Sequence, residues 1–188
     1  TWKDWLQAAK MAAAEMQDQC KYVSVSGLSM GGVLTLLLAE QMHLTAAAPI
    51  SAPMAVQNRA MPFARIGSLF IKTTYWKSDD ARAAMLDQRY DYGYTCFPTR
   101  TAADLSKLIH IARQNLYAVT CPILAVQSHA DETISADSAE VIVDGVSSQR
   151  KGVLYLEEVP HVCTISKEHQ HIANAVGELF RKAEKEAK

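Results

Sequence analysis

The chain has 188 residues, 49% of them hydrophobic and 21% charged, with a net charge of −1. That composition suits one well-cored globular domain and offers neither a basic stripe for nucleic acid nor an apolar run long enough to span a bilayer. The four cysteines form no CxxC pair and no metal-ligand spacing. Free thiols in a reducing, cytoplasmic compartment are therefore expected, with no metal and no cofactor. No signal-peptide pattern is seen, and the chain opens on Thr1.

In chain order, Trp2, Trp5, Leu6, Ala9, Ala13 and Met16 recur at helical spacing and predict an amphipathic helix. Tyr22-Val23-Ser24-Val25-Ser26 is a short β-branched run ending at Gly27, which predicts a strand that stops in a tight turn. Residues 30–42 return to a helical pattern, apolar on most faces, so this helix is expected to be buried. A second strand is expected over 44–50, closed off by Pro49 and Pro53. From 54 to 117 the texture changes. Strong strand signals stop, Met, aromatic and Arg residues become frequent, and helices are expected near 60–72, 79–88 and 101–117. This segment reads as a helical cap inserted into a core made of 1–53 and 118–188.

The alternation resumes at Pro122-Ile123-Leu124-Ala125-Val126, a strand, followed by a helix over 135–146. Val153-Leu154-Tyr155-Leu156 is another strand, and Ser166 is expected to N-cap a final helix carrying Ile172, Val176, Leu179 and Phe180. The charged tail over 181–188 is expected to fray. Hydrophobic strands alternating with helices predict an α/β protein whose parallel sheet is covered on both faces. In such sheets sites form where strands end at their carboxyl side.

The first strand runs into Gly27-Leu28-Ser29-Met30-Gly31, followed by Gly32: a G-x-S-x-G pattern between strand and helix. Side chains at Gly27 and Gly31 are expected to collide with neighbouring backbone, and Ser29 to take a strained conformation that presents its hydroxyl at a helix N-terminus. An ordinary glycine-rich turn is the alternative. A serine nucleophile needs a base oriented by an acid. The next strand end supplies Gln127-Ser128-His129-Ala130-Asp131-Glu132, and the last supplies Glu157-Glu158-Val159-Pro160-His161. Asp131 is favoured over Glu132 as the acid because its short carboxylate suits a loop, and Asp137 suits the first turn of a helix. His43, His110, His169 and His171 fall on predicted helices or their ends, where surface or packing roles are the default. His129 shares the acid's loop and could line a pocket. Cys163 reads as packing. His169 and His171 lie on different helix faces, and there is no HExxH.

These blocks (GLSMGG around Ser29, AVQSHADETISADSA around Asp131 and PHVCTISKEHQHI around His161) resemble the small bacterial carboxylesterases and monoacylglycerol lipases of the α/β-hydrolase superfamily. The resemblance covers nearly all of the chain and is weakest over 54–117. It implies the C-terminal part of an α/β-hydrolase fold, with about four strands. It also implies Ser29 as nucleophile, Asp131 as acid, His161 as base and the Met30 backbone N–H as an oxyanion donor. The insertion would be a helical cap in which Met54, Met61, Phe63, Phe70 and Trp76 line an acyl-binding surface or pack the cap itself. The substrate implied is a small-molecule ester with a short-to-medium acyl chain, or a monoglyceride; thioesterases, peptidases and perhydrolases use the same triad.

The departure from the family is at the beginning, where its members carry further strands and an HG-type oxyanion loop. Loss of one donor typically costs a factor of about 100 to 1,000 in turnover, so a poorly active assembly or binding module is the alternative. The strand Tyr22 to Ser26 would also become an uncovered edge. That predicts a homo-oligomer, or a chain cut from a longer enzyme.

Overall fold

In the computed structural model, which describes residues 1–55, 71–75, 83–90 and 93–188, the apolar spacing of the first segment forms helix α1 (Trp2–Gln19). Strand β1 (Ser24–Leu28), helix α2 (Met30–Gln41) and strand β2 (Ala46–Ile50) follow. Two short strands, β3 (Thr73–Tyr75) and β4 (Cys96–Pro98), precede helix α3 (Thr99–Asn115). Strand β5 (Ile123–Ser128), helix α4 (Asp137–Gly145), strand β6 (Lys151–Leu156) and helix α5 (His169–Glu186) complete the order.

The main sheet has four parallel strands in the order β1-β2-β5-β6. Side chains alternate across it. Ala47, Ile123 and Ala125 pack into a core with α2, α3 and α4, against which Trp2, Trp5 and Leu6 of α1 rest. Ala46, Ala48, Ile50 and Val126 pack on the other face against Ile172, Val176, Leu179 and Ala183 of α5. Every residue of β2 is buried, and its alanines leave room for helices on both sides. Helix α2 is mostly buried, as its all-round apolar pattern requires.

Several boundaries differ from the sequence expectations. β1 begins at Ser24 rather than Tyr22 and runs on through Gly27, which pairs with Pro49, so the turn starts only at Ser29. Pro49 lies inside β2 instead of closing it. Its missing donor falls between the bonds Ala47 N–H→Pro122 O and Ser51 N–H→Val126 O, and the partnered pairs on this side skip it. A proline there forfeits one rung of the β2–β5 ladder while the β1 side stays intact. The pair β3–β4 is antiparallel and was not signalled, because three-residue strands carry too little alternation to read.

α3 starts at Thr99, near its expected place, and buries Leu108, Ile109 and Ala112 in the α2 core. The helices expected over 60–72 and 79–88 lie largely outside the described residues; within 83–90, Leu86 bridges Ser166 and the Asp87 N–H reaches Ile165 O. Ser166 is not the N-cap of α5, which starts at His169 with Glu168 at the N-cap position and no side-chain capping bond. Ser166 instead closes a preceding 3-10 turn (Cys163–Ile165), its hydroxyl donating to Cys163 O and accepting the Glu168 N–H. The tail is not frayed: α5 continues to Glu186, Ala183 is buried, and Glu186 pairs with Arg150.

Candidate active site

The carboxyl ends of β1, β5 and β6 open on the same side of the sheet, and each delivers one of the polar side chains singled out above. At the end of β1, Ser29 holds φ 56° and ψ −116°, a conformation that L side chains rarely adopt. It is fixed from both sides. Its N–H donates to Ile50 O at 2.8 Å, and its own carbonyl accepts the first bond of α2 from Val33 at 3.2 Å. The N–H groups of Met30, Gly31 and Gly32 precede that bond and have no acceptor within the helix. A negative charge beside Ser29 would therefore meet free donors and the positive end of the α2 dipole.

The glycines divide their work differently from expectation. A Cβ on Gly27 would sit 2.4 Å from Gly31 O, a clash with backbone that cannot yield. A Cβ on Gly32 would meet Ala52 Cβ at 2.7 Å and Ile50 O at 3.1 Å, so α2 seats against the end of β2 only because Gly32 is bare. Gly31, expected to collide as well, has open space where its side chain would be. Its backbone, not its missing Cβ, is what crowds Gly27.

Asp131 stands three residues beyond β5, with its side chain fully buried. Its Oδ1 accepts the N–H groups of Thr133 at 2.9 Å and Ile134 at 2.8 Å, so the carboxylate caps its own loop. Its Oδ2 faces His161 Nδ1 at 2.8 Å and accepts from Gln127 Nε2 at 3.1 Å. Burial works against ionisation, but the His161 hydrogen bond and charge and the two backbone donors outweigh it, holding the carboxyl below its ordinary range.

His161 follows β6, and its Nε2 lies 2.9 Å from Ser29 Oγ. A carboxylate at Nδ1 requires the proton there, which leaves Nε2 free to accept from the serine hydroxyl. Glu132, the rival acid, meets His161 at its backbone. Its Oε2 accepts the backbone N–H of His161 at 3.0 Å. The loops are tied a second time by Ser128 Oγ, which donates to Val159 O at 2.6 Å.

His129 is half exposed and stacks on Tyr155, with ring centroids 4.5 Å apart. Cys163 is buried with its Sγ 3.8 Å from Ser51 Oγ, where burial pushes the thiol up. Asp137 falls in the first turn of α4. Of the residues suggested for acyl binding, Met54 is fully buried in the α2 core, its N–H donating to Ser138 Oγ at 3.2 Å. Met61, Phe63, Phe70 and Trp76 lie outside the described residues.

Sequence reasoning missed two residues beside the site. Ser51, buried at the end of β2, also holds a positive φ of 45° with no glycine to announce it. Gln127 gave no signal until Asp131 was seen to fold back on it.

No family model matches the chain. It is 28% identical over 183 residues to a thermostable monoacylglycerol lipase of Bacillus sp. (strain H-257), covering 97% of this chain and 72% of that protein. It is 25% identical over 181 residues to a carboxylesterase of Bacillus subtilis (strain 168), covering 96% and 71% respectively. Among solved structures, one from the metagenome-derived lipolytic enzymes LipS and LipT superposes with a TM-score of 0.88 at 25% identity, covering 97% of this chain and 74% of that one.

Proposed function

We propose that this chain, which belongs to the carboxylesterase and monoacylglycerol lipase group of the α/β-hydrolases, cleaves carboxylic esters through an acyl-enzyme on Ser29. The carrying observation is the continuous line Ser29 Oγ, His161 Nε2, His161 Nδ1, Asp131 Oδ2, with contacts of 2.9 and 2.8 Å. His161 takes the proton of Ser29 as the oxygen attacks the ester carbonyl, and Asp131 stabilises the imidazolium. The tetrahedral oxyanion lies against the Met30 N–H at the start of α2. His161 then protonates the departing alcohol. Water, deprotonated by His161, attacks the acyl carbonyl and returns Ser29.

The substrate is a carboxylic ester or a monoglyceride, as the names of the relatives suggest, and the four free thiols favour a cytoplasmic setting. Among the described residues no helix is long and apolar enough to cross a membrane.

The test is labelling with a fluorophosphonate beside hydrolysis of p-nitrophenyl butyrate. Both should vanish in Ser29→Ala and fall sharply in His161→Ala. Undiminished labelling in Ser29→Ala would refute the assignment. Faster turnover of a butyryl thioester or a peptide than of the oxygen ester would move the chain to thioesterase or peptidase chemistry.

A further inference from the structure

β5 is buried on both faces, and in such a strand an apolar residue is expected at each position. Ile123 and Ala125, on one face, conform; Gln127, next in that series, is polar and only 1% exposed. A buried amide is costly unless bonded, so a reason is needed for it. Its Nε2 lies 3.1 Å from Asp131 Oδ2 and 3.3 Å from Ser128 O. Both neighbours are acceptors, which fixes the orientation of the amide chemically: the nitrogen must face them.

We propose that Gln127 is a positioning residue for the reaction, its amide N–H holding Asp131 Oδ2 aimed at His161. This rests on the Ser29–His161–Asp131 reading above. The geometry is that of a carboxylate clamped at both oxygens. Thr133 and Ile134 fix Oδ1 through backbone that no side-chain change would remove. Among the described residues, Oδ2 has only His161 and Gln127. Without Gln127, the oxygen that orients the base is held by the base alone, and rotation of the carboxylate is restrained from one side only. The charged and titratable groups around this point are Asp131 and His161 in contact, Glu132 at the His161 backbone N–H and the buried Cys163 thiol.

Gln127→Leu removes the donor, and Gln127→Glu replaces it with one that works only while protonated. Beside the Asp131 carboxylate a new buried acid keeps its proton well above its ordinary range, so the two carboxyls share one proton at Oδ2. In p-nitrophenyl butyrate hydrolysis, Gln127→Leu should lose roughly 10- to 100-fold in kcat with KM nearly unchanged, the scale of a misplaced catalytic group. Gln127→Glu should exceed Gln127→Leu at low pH and fall towards or below it as pH rises, against the rising limb of the wild type. Activity is normalised to the folded fraction by circular dichroism, and Gln127→Glu keeps the comparison open if Gln127→Leu does not fold.

Profiles for both variants parallel to the wild type, or losses confined to stability or KM, would overturn the positioning role. Wild-type activity that survives Ser29→Ala would overturn the underlying reading instead, and this proposal with it.

Discussion

Replacing Asp131 with Asn changes one oxygen to an NH2 group and almost nothing in volume, yet the structure leaves that group no acceptable place. Oδ1 receives two backbone N–H donors and Oδ2 receives His161 Nδ1–H and Gln127 Nε2–H. An amide nitrogen at the Oδ1 position would confront the Thr133 and Ile134 N–H groups. At the Oδ2 position it would confront Gln127 and oblige His161 to accept at Nδ1. The imidazole proton then moves to Nε2 and points at Ser29 Oγ, which can no longer lose its proton there. A wrong tautomer of this kind costs about 10⁴ in kcat, or about 5 kcal/mol in the barrier. The buried donors left unpaired should also destabilise the fold by about 1–3 kcal/mol. Steady-state hydrolysis of p-nitrophenyl butyrate with thermal unfolding tests both parts. A folded Asp131→Asn enzyme within tenfold of wild-type kcat would refute the orienting role of Asp131.

Two further substitutions separate the glycines of the elbow. Gly27→Ala should cost about 3 kcal/mol or more, because the new Cβ meets backbone at 2.4 Å, whereas Gly31→Ala should keep or raise Tm by gaining up to ~1 kcal/mol of helix propensity. Comparable Tm losses in both would contradict this division. Glu40, on α2, has both carboxyl oxygens buried with no hydrogen-bond partner among the described residues, and burial raises it from 4.5 to about 8. An acid raised on folding contributes its stability in full below the unfolded value and loses it as pH climbs towards the folded one. The wild type should therefore weaken relative to Glu40→Gln between pH 5 and 8, by a ceiling of roughly 5 kcal/mol that partial exposure of Glu40 reduces to about 1–2 kcal/mol. Urea unfolding of both proteins at each pH reads the difference, and parallel curves would remove Glu40 as its source.

The strand-to-strand placement of the candidate site was legible because it depends on chain order. Ser29 follows a β-branched run and glycines, and Asp131 and His161 each follow a hydrophobic strand. The residues that were not legible, Gln127 and Ser51, act through contacts that only the folded chain brings together. Pro49 illustrates the limit from the other side. The rule that proline ends a strand assumes that its N–H is needed, and in β2 the loss falls on one rung facing β5. Ser51 gave no warning of its positive φ because its neighbours, rather than a glycine, hold it there: its N–H is bound to Val126 O and its hydroxyl lies against Cys163.

The choice between Asp131 and Glu132 turns on side-chain length in a way that the structure makes specific. A carboxylate that caps the N–H groups two and three residues ahead must be short, because the ring it closes contains its own backbone. Asp131 closes that ring with Oδ1 and still has Oδ2 turned back towards His161. A glutamate at the same position would carry one more methylene and could not hold both ends at once without shifting the loop. Glu132 has that extra reach and spends it elsewhere, spanning to the His161 backbone and fixing where the imidazole begins. Adjacent acids thus hold the same histidine at two points, one through its ring and one through its chain. The depressed carboxyl of Asp131 adds a pH sign to this arrangement. Its contribution is present above the unfolded aspartate value and is lost as pH falls through the folded one, so acid should release the ring of His161 and the 131–134 turn together.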